Sequence, residues 1–155
     1  MDETIIVGVG NPFRSDDGVG WAVIDALHGK VPPEVHLSKQ RGDIAELLSV
    51  FARFPIVYLI DACQKSTPVG SWQRIDALRQ PLFDDNEQTS THGFGISQAI
   101  ALAENLQQLP AQLIIYAISA NMYQMNKGLS EPVAQSIPLL TKAIIQDIQS
   151  CTKKA

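Results

Sequence analysis

The sequence predicts an α/β protein: a single-domain three-layer sandwich, with a mostly parallel, twisted sheet of about five strands and helices on both faces. Three observations carry this. Short apolar runs rich in β-branched residues, such as "TIIVG", "PIVYLIDA" and "AQLIIYAIS", read as strands buried on both faces. Stretches with apolar residues at helical spacing lie between most of them. Glycine, proline and asparagine follow the first strand directly, as a tight strand-to-helix turn requires.

The elements follow in order. Residues 4–8 form the first strand. From Gly18 onward Val19, Ala22, Val23, Ala26 and Leu27 recur at i, i+3, i+4, i+7 and i+8, a helix that Gly29 ends as the C′ residue. "EVHLSKQ" (34–40) alternates as a strand does. "DIAELLSVFARF" (43–54) is a helix with Asp43 as its cap. "PIVYLIDA" (55–62) is the clearest buried strand, ending at Asp61. "GSWQRIDA" (70–77) follows it without an intervening helix, which makes it an antiparallel edge strand. Residues 79–93 are polar and loop-like. "GISQAIALAENLQQ" (95–108) is a helix, "AQLIIYAIS" (111–119) a strand, and 130–151 a long amphipathic helix kinked at Pro138.

The bulk numbers exclude several classes. With 155 residues, 45% of them hydrophobic and 18% charged, the chain can build one core, and residues 1–155 are expected to be one domain. The net charge of −4 and the lack of a basic stripe argue against a nucleic-acid partner. No apolar run has membrane-spanning length, and "MDETIIVGVG" lacks the basic and apolar regions of a signal peptide, so a cytoplasmic protein is expected. Cys63 and Cys151 read as two reduced thiols.

In a parallel sheet, ligands collect beyond the carboxyl ends of the strands. The stretch "GVGNPFRSDDGVG" (8–20) lies there. As a dinucleotide fingerprint it fails: Phe13 stands where the third glycine belongs, and Asp16 and Asp17 would repel a pyrophosphate. A helix cap accounts for one aspartate but not for two side by side, which repel unless a cation or a proton separates them. Asp61 leaves the sheet at the same edge, and His92 stands in the loop before a helix. Asp17, Asp61 and His92 together make a divalent-metal or acid–base set, on exposed loops. His28 and His36 lack such partners. Cys63 reads as a small buried residue after a strand.

These residues resemble the hydrogenase maturation endopeptidases over nearly the whole chain. That family opens with a strand, Gly-x-Gly-Asn, a spacer, Asp-Asp or Asp-Glu, and a glycine; here it reads "IIVGVGNPFRSDDGVG". The resemblance carries the family's metal positions onto Asp17, Asp61 in "LIDA" and His92 in "STHG". It implies an endopeptidase, classed with the aspartyl type, that removes the C-terminal extension of a nickel–iron hydrogenase large-subunit precursor after nickel insertion. The catalytic set would be Asp17, Asp61 and His92, binding nickel carried by the substrate, with no permanent cofactor, no membrane partner, and a monomeric enzyme. Many members have Glu at the position of Asp17, and many have Gly-Thr where this chain has "RGDIAELL". The metal would polarise the peptide carbonyl or acidify a bound water, or else a carboxylate or His92 would act as general base; the sequence leaves these open. A second reading is a nickel-binding carrier or chaperone of hydrogenase assembly that does not cut. The peptidyl-tRNA hydrolases share only the "GNP" turn, since their catalytic His has no counterpart in "FRSDDGVG".

Overall fold

The computed structural model describes residues 3–64, 67–80, 91–120 and 128–153; the side chains of 91–94 and of 151–153 lie outside this set. The strands are β1 (Thr4–Val9), β2 (Val35–Gln40), β3 (Ile56–Cys63), β4 (Trp72–Asp76) and β5 (Gln112–Ser119). The helices are α1 (Val19–Leu27), α2 (Ile44–Arg53), α3 (Thr91–Asn105) and α4 (Glu131–Lys153).

The sheet order is β2-β1-β3-β5-β4. All neighbours are parallel except β4, which pairs antiparallel with β5 at one edge, as the missing helix before it predicts. Strand parity sorts the core into two layers. Ile5, Val7, Val57, Leu59, Leu113 and Ile115 face α2 and α3, while Ile6, Tyr58, Ile60, Ile114 and Ile118 face α1 and α4. The chain places β2 on one side of β1 and later fills the other side from β3 onward, so the β1/β3 boundary is the point where the strand order reverses. In open sheets of this kind that boundary is where a crevice forms.

Three boundaries differ from expectation. β3 continues two residues beyond Asp61, because Asp61 to Cys63 pair with Ala117 to Ser119 of β5. α3 begins at Thr91 rather than after Gly93, so His92 belongs to a helix rather than to a loop. α4 continues through Pro138 to Lys153. Asp43 does occupy the N-cap of α2, but its side chain makes no capping hydrogen bond. Most of the polar stretch 79–93 lies outside the described residues.

Candidate functional site

Beyond β1 the chain makes a turn whose geometry glycine permits. Gly10 has φ +152, and a Cβ there would lie 2.0 Å from the Asp17 carbonyl oxygen. Asn11 fixes the next residues: its side-chain oxygen accepts from the Phe13 N–H at 2.9 Å, and its carbonyl accepts from the Arg14 N–H at 3.1 Å. The chain then enters a single 3-10 turn, Ser15–Gly18, with Ser15 at φ 50, a region that a non-glycine residue occupies only when its surroundings impose it.

Close backbone approach seats this turn on the sheet. A Cβ on Gly20 would meet the Ile60 carbonyl oxygen at 2.6 Å, and one on Gly8 would meet the Gly20 carbonyl at 2.3 Å. The first turn of α1 therefore lies directly on the ends of β1 and β3. Only a residue without a side chain lets it do so.

The two adjacent aspartates have separate surroundings. Both are buried, with Asp16 at 0% and Asp17 at 1% exposure, which corrects the expectation of an exposed loop. Asp16 turns to the start of α4: its Oδ1 accepts from the Ser130 N–H at 2.6 Å and its Oδ2 from the Ser130 hydroxyl at 2.8 Å. Ser15 adds a hydroxyl bond to the Gly128 carbonyl at 3.1 Å. Asp17 turns back over the β1 end, where its Oδ2 accepts from the Asn11 N–H at 3.1 Å. The repulsion between the pair is thus reduced by separation: one carboxylate is spent on the α4 junction and the other stands at the crevice.

Asp61 is also buried, at 4% exposure. It shares the parity of Leu59 and Cys63, so its side chain stands on the α2/α3 face of β3, opposite Ala117 of β5 and one residue past the last pair with β1, Gly8 and Ile60. The first turn of α3 comes to the same edge. Gly95, one turn after His92, would place a Cβ 3.0 Å from the Gly42 carbonyl, just past β2. The backbone of His92 therefore belongs to the crevice end of α3; its side chain lies outside the described residues. Among the described residues no three His, Cys, Asp or Glu side chains converge on a single point.

Cys63 is buried in the same layer, outside any disulfide, with its thiol 3.6 Å from the Ile118 carbonyl. His28 and His36 are both exposed and away from the crevice; the His36 ring lies edge-on to Phe54 at 5.2 Å. Sequence reasoning did not find the role of Ser130. Its only local signal is "SEP", a helix start, and nothing in it shows which distant carboxylate it binds.

Fold and crevice together define a doubly wound α/β protein with buried carboxylates at its topological switch point. The hydrogenase maturation protease family model matches residues 43–147, and the chain belongs to that family. It is 25% identical over 118 residues to the hydrogenase expression/formation protein HupD of Thiocapsa roseopersicina, a match covering 75% of this chain. The chain spans about half the length of that curated relative, 53%. In fold it is similar to an Escherichia coli endopeptidase solved in solution, with TM-score 0.84 and 19% identity over 96% of this chain and 93% of the other. It is similarly close to the E. coli hydrogenase maturating endopeptidase HybD, with TM-score 0.78 and 18% identity over the same shares of the two chains.

Among the described residues no helix is long and apolar enough to cross a membrane.

Proposed function

We propose that this protein is an endopeptidase that removes the C-terminal extension of a nickel–iron hydrogenase large-subunit precursor once nickel is in place. Asp17, Asp61 and His92 are the residues that meet the nickel held by the precursor. The observation that carries this reading is the pair of buried carboxylates, Asp17 and Asp61, on adjoining elements at the β1/β3 switch point. Family membership supports the reaction class.

The donor chemistry agrees with a borderline divalent ion: two carboxylate oxygens and one imidazole nitrogen, with no thiolate among them. Both oxygens of Asp16 accept bonds from Ser130, which turns that carboxylate toward the α4 junction and favours its neighbour as the ligand. Asp17 is left as the acidic residue of the pair that reaches the metal. Its orientation is set by the Asn11 N–H, which fixes one oxygen. Asp61 is held by a strand that pairs with β5 at that residue, so its position does not depend on a loop. Nickel in the precursor supplies Lewis acidity close to the scissile peptide. Within the chain, a carboxylate at the crevice can accept a proton from the attacking water.

The test incubates the protein with nickel-loaded precursor and measures the precursor's mass. The expected result is loss of a C-terminal segment with the wild-type protein and none with Asp61→Asn. Transfer of nickel from the protein to nickel-free precursor, with no C-terminal segment lost, would establish the carrier reading instead.

A further inference from the structure

Beside the crevice, on the side of β2, lies a cation braced by aromatic rings. Arg41 follows β2 directly and is exposed. Its guanidinium carbon stands 5.4 Å from the ring centre of Trp21 and 6.0 Å from that of Phe13. The Trp21 ring is fixed in turn, because its indole N–H donates to the Gln40 carbonyl at 3.0 Å. The same carbonyl accepts from the Gly10 N–H at 3.0 Å, which ties this group to the turn that carries Asp17. Phe13 is itself 58% exposed although it sits in a turn of fixed geometry.

Neighbouring charges show which cation is available. Lys39 also approaches Trp21, at 5.7 Å, but its ammonium is neutralised by Asp25 at 2.6 Å. Arg41 makes no ion pair with any described residue. Its guanidinium lies within cation–π reach of two rings, and its donors, in no ion pair with a described residue, are left for a partner. A guanidinium in this state is pre-ordered for two parallel bonds to a carboxylate. The chain as a whole carries −4, so an acidic partner would meet repulsion over most of the surface and attraction here.

We propose that Arg41, braced by Trp21 and Phe13, docks an acidic side chain of the precursor segment that flanks the scissile bond, and so sets which polypeptide enters the crevice. The inference rests on the endopeptidase reading above and adds to it a specificity residue outside the metal-facing set. It is a binding contact, present equally before and during the reaction, so it acts on KM and leaves kcat alone.

The experiment compares wild type, Arg41→Gln, Arg41→Lys and Phe13→Leu in the full chain, on nickel-loaded precursor. Cleavage kinetics and precursor affinity are both measured, at low and at physiological ionic strength. Arg41→Gln should raise KM about tenfold, with kcat within about twofold, as loss of one charge-assisted contact predicts. Arg41→Lys should recover part of the loss, since it keeps the charge without the fork. Phe13→Leu should fall between. The KM of the wild type should rise with salt more steeply than that of Arg41→Gln. Changing acidic residues of the flanking segment to amides one at a time should yield one precursor on which wild type and Arg41→Gln no longer differ. An unchanged KM for Arg41→Gln, a fall in kcat alone, or no such precursor overturns the proposal. If wild type binds precursor in an Arg41-dependent manner but never cuts it, the docking contact stands and the endopeptidase reading falls.

Discussion

Asp16 and Ser130, 114 residues apart in the chain, form a two-point clamp: the serine N–H and hydroxyl donate to the two carboxylate oxygens at 2.6 and 2.8 Å. The clamp joins the 3-10 turn after β1, in which Ser15 takes a left-handed conformation, to the start of α4. Its loss should therefore be felt as instability. Asp16→Ala leaves the part-buried Ser130 N–H and hydroxyl without their acceptor and removes two hydrogen bonds to a charged group, costing about 2–4 kcal/mol. For a domain of this size that lowers Tm by roughly 4–16 °C. Asp16→Asn keeps one acceptor and offers an N–H to the hydroxyl, so its loss should be less than half as large. Calorimetry of the two variants checks this; an Asp16→Ala protein that melts with the wild type would show the clamp to be idle.

Asp17 and Asp61 should behave in the opposite way. Both are buried, at the carboxyl ends of β1 and β3, and an amide in either place keeps nearly the same shape and volume without a charge to desolvate. Asp17→Asn and Asp61→Asn are expected to melt within about 1 kcal/mol of wild type, or above it, while processing of the precursor falls by about 100-fold or more. Thermal melts and cleavage assays on the same preparations decide the matter. Variants that unfold would make these two residues structural and remove them from the site.

The element pattern was legible because both periodicities are local. Every expected strand is present, and β4 proved antiparallel for the reason that the sequence offered, the absence of a helix between it and β3. Asp61 was expected at a strand end and lies inside the strand, because pairing with β5 carries β3 on to Cys63. Nothing local to "LIDAC" could show this. The burial of Asp16 and Asp17 was equally hidden. It comes from α1 lying on bare glycine backbone and from α4 arriving 114 residues later. Tertiary packing rather than local preference turned an apparent loop into the interior of the site. Similarly, Arg41 in "KQRGD" looks like an ordinary surface cation until Trp21 and Phe13 are brought to it by the turn after β1.

Two glycines separate backbone strain from steric contact. A Cβ on Gly20 would strike backbone atoms of Ile60 and Val9 between 2.6 and 2.9 Å away, which cannot move without displacing α1 from the sheet. Gly20→Ala should cost about 1–3 kcal/mol or more and also impair processing, because the turn bearing Asp17 precedes α1 directly. Gly29 has φ +78 but open space around it, so Gly29→Ala should cost about 1 kcal/mol and leave processing intact. Urea unfolding with a parallel cleavage assay distinguishes the two; equal activity loss in both variants would contradict this account.

Alkaline pH should loosen the junction of β4, β5 and α4. The Tyr116 hydroxyl donates to Asp147, which also takes two bonds from Arg74, at 2.7 and 3.2 Å. Burial, and next the hydrogen bond to Asp147, push the Tyr116 phenol well above its ordinary range. Arg74 is likewise raised, chiefly by its bond to Asp147, and stays charged throughout. Above a pH of about 10 the unfolded chain releases the phenolic proton while the folded chain keeps it. The unfolded state then binds fewer protons, so stability falls as pH rises beyond that point and is fully present below it. Tyr116→Phe should be less stable than wild type at neutral pH and should lose less between pH 9 and 11. A steeper alkaline loss in Tyr116→Phe would refute the assignment to Tyr116.

The order of events in processing gives the last prediction. If the crevice recognises nickel already held by the precursor, then Asp17, Asp61 and His92 add affinity only when the metal is present. Nickel-free precursor should remain uncut even with the enzyme in excess. A 100-fold loss of affinity corresponds to about 2.7 kcal/mol, within what loss of metal–ligand contacts supplies. Adding nickel to the enzyme alone should not restore cleavage, because the ion has to arrive in the geometry that the precursor imposes on it. Mass spectrometry of precursor with and without nickel reads both arms. Efficient cutting of nickel-free precursor would show that the two carboxylates and the imidazole work on water or on the peptide directly, and that the metal is not the gate.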